Sequence, residues 1–421
     1  MLPGSYKTVR WVLIGWITVS TVLNYMDRQT LSILAPVLRD QFHMSAQAYS
    51  NIVSAFLLSY TVMYTGGGIF VDVVGERLGM AACIIWWSIA TAFHSLARGP
   101  FSLGVFRFIL GIGEPGNYPA ALRATTSWFP KAERGLPVAV YSSGSALGAI
   151  LAPPLIAWIA LTFGWRFAFL VPGIAGLAWV VVWLAIYHKP ARYGFALETA
   201  ATSGARQPVL RLLRDRNVLG LFLARLIADP VWYFYLFWIP EYLKRERGFS
   251  LAEIGIYAWI PFVAADAGGI FAGLASDRLI QGGLGAPQAR RRILYAAAAF
   301  APLGILTSAV GSSGSAIALI ALAGFICFVW FINTATLVSD VFPESVVGSV
   351  QGLIGSSGSA GGVLFNLLTG YLVDHGGYRI VFVLVGSMHL IASLILWLLM
   401  RDEQPSNRAL PATPVLSSAN S

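Results

Sequence analysis

The sequence predicts an all-α membrane protein with twelve transmembrane helices in two six-helix, pseudo-symmetric bundles. Composition comes first. The 421-residue chain is 57% hydrophobic and only 11% charged, where a soluble globular chain carries about 25% charged residues. Second, apolar runs of spanning length recur from end to end. Third, the halves repeat in order. Ser142-Ser143-Gly144-Ser145-Ala146 returns as Ser356-Ser357-Gly358-Ser359-Ala360, and Trp128-Phe129-Pro130 as Val341-Phe342-Pro343. Gly164-Trp165-Arg166 returns as Gly377-Tyr378-Arg379, and Gly68…Asp72 has an echo in Gly273…Asp277. Duplicated bundles of this kind place a binding site between the halves near the midplane.

Charge, Gly or Pro bound the first six apolar runs near 11–35, 48–70, 78–97, 101–125, 136–161 and 166–187. The second six lie near 217–240, 251–275, 293–312, 315–339, 347–372 and 379–400. The first bundle is therefore expected over 1–187, a cytoplasmic linker over 188–216, the second bundle over 217–400 and a disordered cytoplasmic tail over 401–421. The run from Trp11 is too long for the core of a signal peptide and has no small-residue cleavage site, so it is expected to stay as the first helix. In the linker, Pro208 to Arg216 reads as a short basic helix on the inner membrane surface, or equally as a solvated connection. The tail is rich in Pro, Ser, Ala and Asn.

Basic residues gather in alternate connections. Lys7, Arg10, Arg77, Arg123, Lys131, Arg134 and the linker arginines lie on one side; Arg39, Arg98 and Arg166 lie on the other. Both termini are thus expected on the cytoplasmic side. Lys244, Arg245 and Arg247 after helix 7 run against that pattern. The net charge of +9 is accounted for by this loop bias, and no nucleic-acid partner is expected. Cys83 and Cys327 read as small apolar core residues. No metal-ligand cluster, nucleotide loop or nucleophile–base spacing stands out, so neither a cofactor nor an enzyme is expected.

Seven ionisable residues fall inside the apolar runs: Asp27, Arg28, Arg107, Glu114, Arg225, Asp229 and Asp266. Each costs roughly 2.5–3.5 kcal/mol on insertion scales, so such groups pair or line a path for something charged. Asn24, Asp27 and Arg28 offer a cation for a substrate anion beside a protonatable acid. The alternative is a self-neutralised pair, which neighbours about 100° apart on a helix form poorly. Arg107 and Glu114 lie two turns apart on one face of helix 4, followed by Asn117 and Tyr118. A carboxylate near the midplane suits a proton carrier, and a buried Arg107–Glu114 brace is the plainer alternative.

Tyr60 and Tyr64 of helix 2 offer hydroxyls to a substrate or simply pack. In helix 7, Arg225 and Asp229 are spaced to cancel one another, and Pro230 can bend the helix. Trp232 and Tyr233 offer ring faces to a sugar-like ligand or pack. Asp266 has no nearby cation in sequence. Asn333 and Asn366 are candidate ligands or interhelix hydrogen-bond formers.

The loop after helix 2 runs Gly68-Ile-Phe-Val-Asp72-Val-Val-Gly75-Glu-Arg77. It matches Gly-x-x-x-Asp-x-x-Gly-x-Arg, a cytoplasmic motif of the major facilitator superfamily. Gly68 is expected to permit close helix approach, and Asp72 to pair with Arg77 and a helix N-terminus. With Asp277 and Arg278 in the second half, these residues read as a gate. From about Val9 to Leu399 the chain resembles the anion:cation symporter family of that superfamily, and its bacterial hexuronate and galactonate members in particular. The resemblance rests on Asn24-Tyr25-x-Asp27-Arg28, Tyr60-Thr-Val-Met, Arg107-x-x-x-Gly111-x-x-Glu114, Trp128-Phe129-Pro130-Lys-Ala-Glu133-Arg134 and Ala152-Pro153-Pro154-Leu.

The resemblance implies the major facilitator fold in a bacterial inner membrane, a monomer, and uptake of a small organic anion coupled to protons. It implies proton coupling at Asp27 and Glu114, and substrate or network roles for Arg28, Arg107 and Tyr60. Competing readings are a proton-independent facilitator, a carrier of another mono- or dicarboxylate, and a membrane sensor. The sensor would need an output domain, for which the loops and tail leave no room.

Overall fold

The computed structural model describes residues 3–130, 133–188, 212–342 and 344–401. The tail and most of the linker, including 208–211 of the basic helix expected there, lie outside the described residues; Leu212 to Asp215 lead through a turn into the next helix. Fourteen α-helices are described. The first half holds α1 (Pro3–Gln41), α2 (Ala46–Val74), α3 (Glu76–Phe93), α4 (Pro100–Gly113), α5 (Asn117–Trp128), α6 (Gly135–Phe163) and α7 (Trp165–Ile186). The second half holds α8 (Arg216–Arg247), α9 (Leu251–Tyr257), α10 (Ile260–Gln281), α11 (Ala286–Phe300), α12 (Ser313–Val341), α13 (Glu344–Gly376) and α14 (Tyr378–Leu399). Eight spans are long and apolar enough to cross a membrane, or nine if the bent α2 is counted. The remaining three crossings are α4 with α5, α11 with its 3₁₀ extension, and the Gly- and Ser-rich α13. Large apolar side chains such as Val181, Leu364 and Trp397 stand exposed on the outside, as lipid-facing surface requires.

Proline and glycine punctuate the helices where the sequence places them. Pro115 sits in a 3₁₀ turn, Glu114–Gly116, that separates α4 from α5. Pro302 sits in the 3₁₀ segment Ala301–Ser308 after α11. Gly164 and Gly377, equivalent in the repeat, both adopt positive φ (94° and 70°) at the start of the last helix of their half. A side chain is strained there, which explains why this element of the repeat opens on glycine.

The repeat also explains how the bundles close. An added Cβ on Gly144 of α6 would lie 2.6 Å from the Thr18 carbonyl of α1; one on Gly358 of α13 would strike the Asp229 carboxylate of α8. One turn on, Gly148 abuts Tyr25 and Gly362 abuts Tyr233, at 2.9 and 2.5 Å from the same added atom. These glycines let backbones approach closely, the main source of helix association in lipid. Gly144→Val is therefore expected to reduce the yield of monodisperse protein in detergent sharply. Gly15→Val, where nothing lies within 4 Å, is expected to leave it unchanged. Size-exclusion profiles check both.

The two halves are joined at the end opposite the chain termini. There α2 packs on α13, α1 on α8, and α6 on α9. Tyr49 Oη donates to the Phe237 carbonyl at 2.7 Å, and Ser32 Oγ to the Leu236 carbonyl at 2.9 Å. Asn366 spans the joint fully: its Nδ2 donates to the Ser50 carbonyl and Ser54 Oγ, both at 2.8 Å, and its Oδ1 accepts from Trp238 Nε1 at 2.8 Å. The Asp374 carboxylate accepts from the Ala46 and Gln47 amides at 2.7 and 2.8 Å, so the second half supplies an acidic cap to the N-terminus of α2. Glu241, fully buried, pairs with Arg39 across the joint and with Arg245 at 3.0 Å; Arg245 also pairs with Asp40.

This resolves the basic cluster that ran against the loop pattern. Helix α8 continues to Arg247, seven residues past its expected end, so these residues form its last turn. Arg245 belongs to the joint, while Arg247 donates to the Val310 carbonyl and to Tyr242 Oη at 2.7 and 2.8 Å. At the opposite end, the ion pairs among the described residues stay within a half. Arg123 pairs with Asp72 and Glu76 in the first, and Arg290 with Asp277 and Asp340 in the second.

Candidate functional site

The first-half charges come together between α1, α2 and the α4–α5 junction. Arg28 donates from Nε and Nη2 to one oxygen of Glu114, at 3.2 and 2.8 Å. Both side chains are almost wholly buried. The plainer alternative, an Arg107–Glu114 brace, is not what forms. The 3₁₀ turn at Glu114 breaks the helical register, and the carboxylate reaches across to α1. Arg107 instead donates from Nη2 to the Arg28 carbonyl at 3.2 Å, behind the pair, with its Nε and Nη1 unpartnered. It supports the backbone that carries Arg28 rather than standing beside it.

Aromatic rings enclose the Arg28 guanidinium. Its carbon lies 4.7 Å from the Tyr60 ring centroid, 5.1 Å from Tyr25 and 5.4 Å from Phe56. Such faces hold a cation while leaving its in-plane donors free. Tyr60 touches Tyr64, with ring centroids 5.9 Å apart. Tyr64 is 45% exposed. Tyr233 stacks on Phe237, with ring centroids 6.3 Å apart. Thr61 Oγ1 donates to Ser359 Oγ at 2.8 Å across the halves. Tyr25, beside Arg28, and the Thr61–Ser359 contact between the halves were not among the site candidates that sequence reasoning named. For Ser359 a signal was present, since it belongs to the duplicated Ser-Ser-Gly-Ser-Ala run.

Asp27 does not pair with Arg28. Neither of its oxygens has a hydrogen-bond partner, although the side chain is 1% exposed. Asn24 is also buried and its Nδ2 has no partner.

In the second half, Arg225 donates to Asp229 at 2.8 Å, lies 4.2 Å over the Phe331 ring, and reaches Thr334 Oγ1 at 3.4 Å. The expected i, i+4 pair is present. Trp232 packs edge-on against Phe262 and Phe328, at 5.7 and 4.6 Å, so its ring face is committed to packing.

Three asparagines among the substrate-binding candidates, Asn117, Asn333 and Asn366, make hydrogen bonds that brace helices. Asn117 accepts from Ser20 at 3.1 Å and donates to Thr21 at 3.4 Å. Asn333 donates to the Val329 carbonyl at 2.8 Å and accepts from Ser276 at 3.4 Å. Asn366 belongs to the joint described above. A buried amide satisfies itself on any nearby backbone, and sequence spacing does not reveal which one.

The gating residues also differ from expectation. Gly68 lies inside α2, where an added Cβ would meet only Pro119 Cγ at 3.9 Å; the close approach is at Gly67, where an added Cβ would lie 3.0 Å from the Gly116 nitrogen. Gly75 has φ 88° between α2 and α3. Arg77 does not pair with Asp72 but donates to the Leu184 carbonyl at 2.6 Å, and the Asp72 carboxylate accepts from Arg123 at 3.1 Å. In the second half Asp277 occupies the equivalent place, accepting from Arg290 at 3.4 Å. Arg278 lies in the last turn of α10. Asp266, half-buried on α10, has no ion-pair partner among the described residues.

Comparison with known proteins agrees with this architecture. A family model for the Major Facilitator Superfamily matches residues 17–366 and 331–419. The chain is 30% identical over 415 residues to the hexuronate transporter of Escherichia coli K12, covering 94% of this chain and 95% of that protein. It is 35% identical over 280 residues to the galacturonate transporter of Dickeya chrysanthemi, covering 63% and 81%. Identity to the D-galactonate transporter of Escherichia coli CFT073 is 29%, covering 93% and 96%. Among solved structures, a bacterial homologue of the human lysosomal transporter Spinster, in an inward-facing and occupied conformation, superposes with a TM-score of 0.78. It is 18% identical and covers 92% of this chain and 96% of that one.

Proposed function

The chain belongs to the major facilitator superfamily, and from that footing we propose that it is a proton-coupled symporter importing a hexuronate or aldonate sugar acid. That it is a multi-pass membrane transporter and not an enzyme follows from the family itself. The narrower reading is supported by the names of its relatives and, above all, by one observation: Glu114 occupies the guanidinium edge of Arg28 that a substrate carboxylate would use.

The pair then works as an exchange. A protonated Glu114 no longer neutralises Arg28, and the free guanidinium accepts the carboxylate of the sugar acid. Tyr25, Tyr60 and Tyr64 frame the anion, with hydroxyls suited to the sugar's own. Neutralising the site lowers the cost of enclosing it in a dry interior. When the substrate leaves, Glu114 gives up its proton and returns to Arg28. With both termini cytoplasmic in a bacterial inner membrane, the joint between the halves is the outer seal, and the site faces inward. Protons and substrate are then both released into the cell.

Adding galacturonate or galactonate to the outside of proteoliposomes is expected to make the external medium more alkaline. A proton-independent facilitator produces no such change, and that result would overturn the reading.

A second reading is favoured by one feature, the buried Arg225 cation of the second half, held by Asp229 as Arg28 is held by Glu114. It is a site for a sugar acid with a carboxylate at each end. Under it, Arg225→Ala is expected to weaken a dicarboxylate by ten-fold or more while sparing a monocarboxylate, as competition assays would show.

A further inference from the structure

Asp266 takes no part in the exchange at Arg28 or in the pair at Arg225, and the duplication of the chain gives it a place. In the first half, an added Cβ on Gly111 of α4 would lie 2.5 Å from the Phe56 carbonyl oxygen of α2. In the second, one on Gly324 of α12 would lie 2.8 Å from the Pro261 carbonyl oxygen of α10. These are the same close approach made twice, in the register that also sets Gly68 and Asp72 against Gly273 and Asp277. Thr61 and Asp266 each lie five residues past the contacted carbonyl. Asp266 therefore stands in α10 where Thr61 stands in α2.

Two equivalent seams run between the halves: α2 packs on α13, and α9 with α10 packs on α6. The first seam is hydrogen-bonded along its length. Ser50 Oγ donates to the Asn366 carbonyl at 2.6 Å, Ser54 Oγ accepts from Asn366 Nδ2 at 2.8 Å, and Thr61 Oγ1 donates to Ser359 Oγ at 2.8 Å. The second seam begins in the same way. Gly255, the counterpart of Ser50, would bring an added Cβ to 2.8 Å from Ala157 Cβ of α6. Farther along, the counterpart of the Thr61–Ser359 bond would join Asp266 to Ser145, because Ser145 and Ser359 hold the same place in the duplicated Ser-Ser-Gly-Ser-Ala run. That bond is not made. Ser145 Oγ donates to the Ser142 carbonyl of its own helix at 2.7 Å. The half-buried Asp266 has neither a hydrogen bond nor an ion pair among the described residues.

A carboxylate kept in an apolar crossing without a cation lines a path for something it can bind, and its neighbours say what. Ser145 lies one turn before Gly148, whose added Cβ would lie 2.9 Å from Tyr25 Cβ. The Tyr25 ring centroid is 5.1 Å from the guanidinium carbon of Arg28. The unbonded stretch of the second seam thus adjoins the carboxylate site. We propose that Asp266 and Ser145 form a hydroxyl-binding subsite for the sugar acid held at Arg28. One sugar hydroxyl donates to the Asp266 carboxylate and accepts from Ser145 Oγ, which turns away from the Ser142 carbonyl to reach it. The substrate then completes in the second seam the bridge that Thr61 and Ser359 make directly in the first. The subsite rests on the proposed function and adds to it a preference for polyhydroxylated acids over plain carboxylates. A site built to bond a hydroxyl rejects an acid that lacks one, because its own polar groups are left unpaired.

The test uses the full-length protein in proteoliposomes and reads competition against labelled galacturonate. The competitors are unlabelled galacturonate and cyclohexanecarboxylate, a ring acid with no hydroxyls. The wild type is expected to prefer galacturonate. Asp266→Leu should weaken galacturonate roughly ten-fold, as the loss of one hydrogen bond to a charged group does, and leave cyclohexanecarboxylate unchanged. Ser145→Ala carries the same test without touching α10, and should shift the preference in the same direction. The double variant should lose little more than Asp266→Leu alone, since both groups bind one hydroxyl. Asp266→Asn, which keeps an acceptor oxygen, should recover part of the loss. An unchanged preference in both single variants, or equal weakening of both acids, overturns the subsite. Galacturonate neither bound nor moved by the wild type removes the proposed function itself, whatever the variants do.

Discussion

Replacing Arg28 with alanine is expected to lower sugar-acid affinity by about 100- to 1000-fold. Truncating one member of a buried, hydrogen-bonded charge pair costs about 2–5 kcal/mol, and each 1.4 kcal/mol is ten-fold. Two losses act together here. The substrate carboxylate loses its cation, and Glu114 is left buried with no partner for its charge. The second loss has its own signature. With no guanidinium to hold it ionised, Glu114 should remain protonated, and substrate addition should no longer move protons. Arg28→Lys keeps the charge but not the two-donor edge that Nε and Nη2 present, so it should recover only part of the affinity. Binding by scintillation proximity or thermal shift checks the affinity. Equal affinity for Arg28→Ala and wild type would place the anion elsewhere.

The second large effect is expected at the joint between the halves. Glu241 is buried against Arg39 and Arg245, and removing it takes the carboxylate from Arg39 and leaves Arg245 with Asp40 alone. Breaking a buried pair in this way costs about 3–5 kcal/mol, enough to invert a two-state population that began near 100 to 1. Glu241→Ala should therefore shift the molecule toward the state open at the sealed end. Spin labels at the exposed positions His43 and Arg379, one on each half, should show a new, longer distance. Asp374→Ala should move the same distance less, because it removes only the cap on α2. An unchanged distance distribution in Glu241→Ala would show that apolar packing alone holds the joint.

Much of the fold is readable in the chain because lipid imposes a simple rule. Backbone groups must be satisfied within helices, so apolar runs report the crossings. The duplicated Ser-Ser-Gly-Ser-Ala run is readable for a related reason: Gly144 and Gly358 perform the same close approach in each half. Breaks inside a crossing are harder to place. The division of the eighth crossing at Ala258–Trp259, and the 3₁₀ turn at Glu114, depend on how neighbouring helices pack.

The site divides the same way. Arg28, Glu114 and Asp27 stand out because a charge in an apolar run is expensive wherever it points. The partner of each charge does not stand out, since it is set between helices. Glu114 finds Arg28, 86 positions away, and not the nearer Arg107. Asn117, Asn333 and Asn366 carry no such cost signal, and their hydrogen bonds depend on the local surroundings. The joint was least visible. Arg39, Glu241 and Asp374 look like ordinary charges at helix ends until the halves are brought together.

Proton-driven accumulation by Glu114→Gln tests the central exchange at Arg28 most directly. Glutamine keeps the size of the side chain but carries no charge, so it mimics the protonated acid and leaves Arg28 open to substrate. The variant should bind sugar acid and exchange it across the membrane, yet fail to accumulate it against a gradient when the interior is made alkaline. Accumulation at the wild-type level would contradict the account.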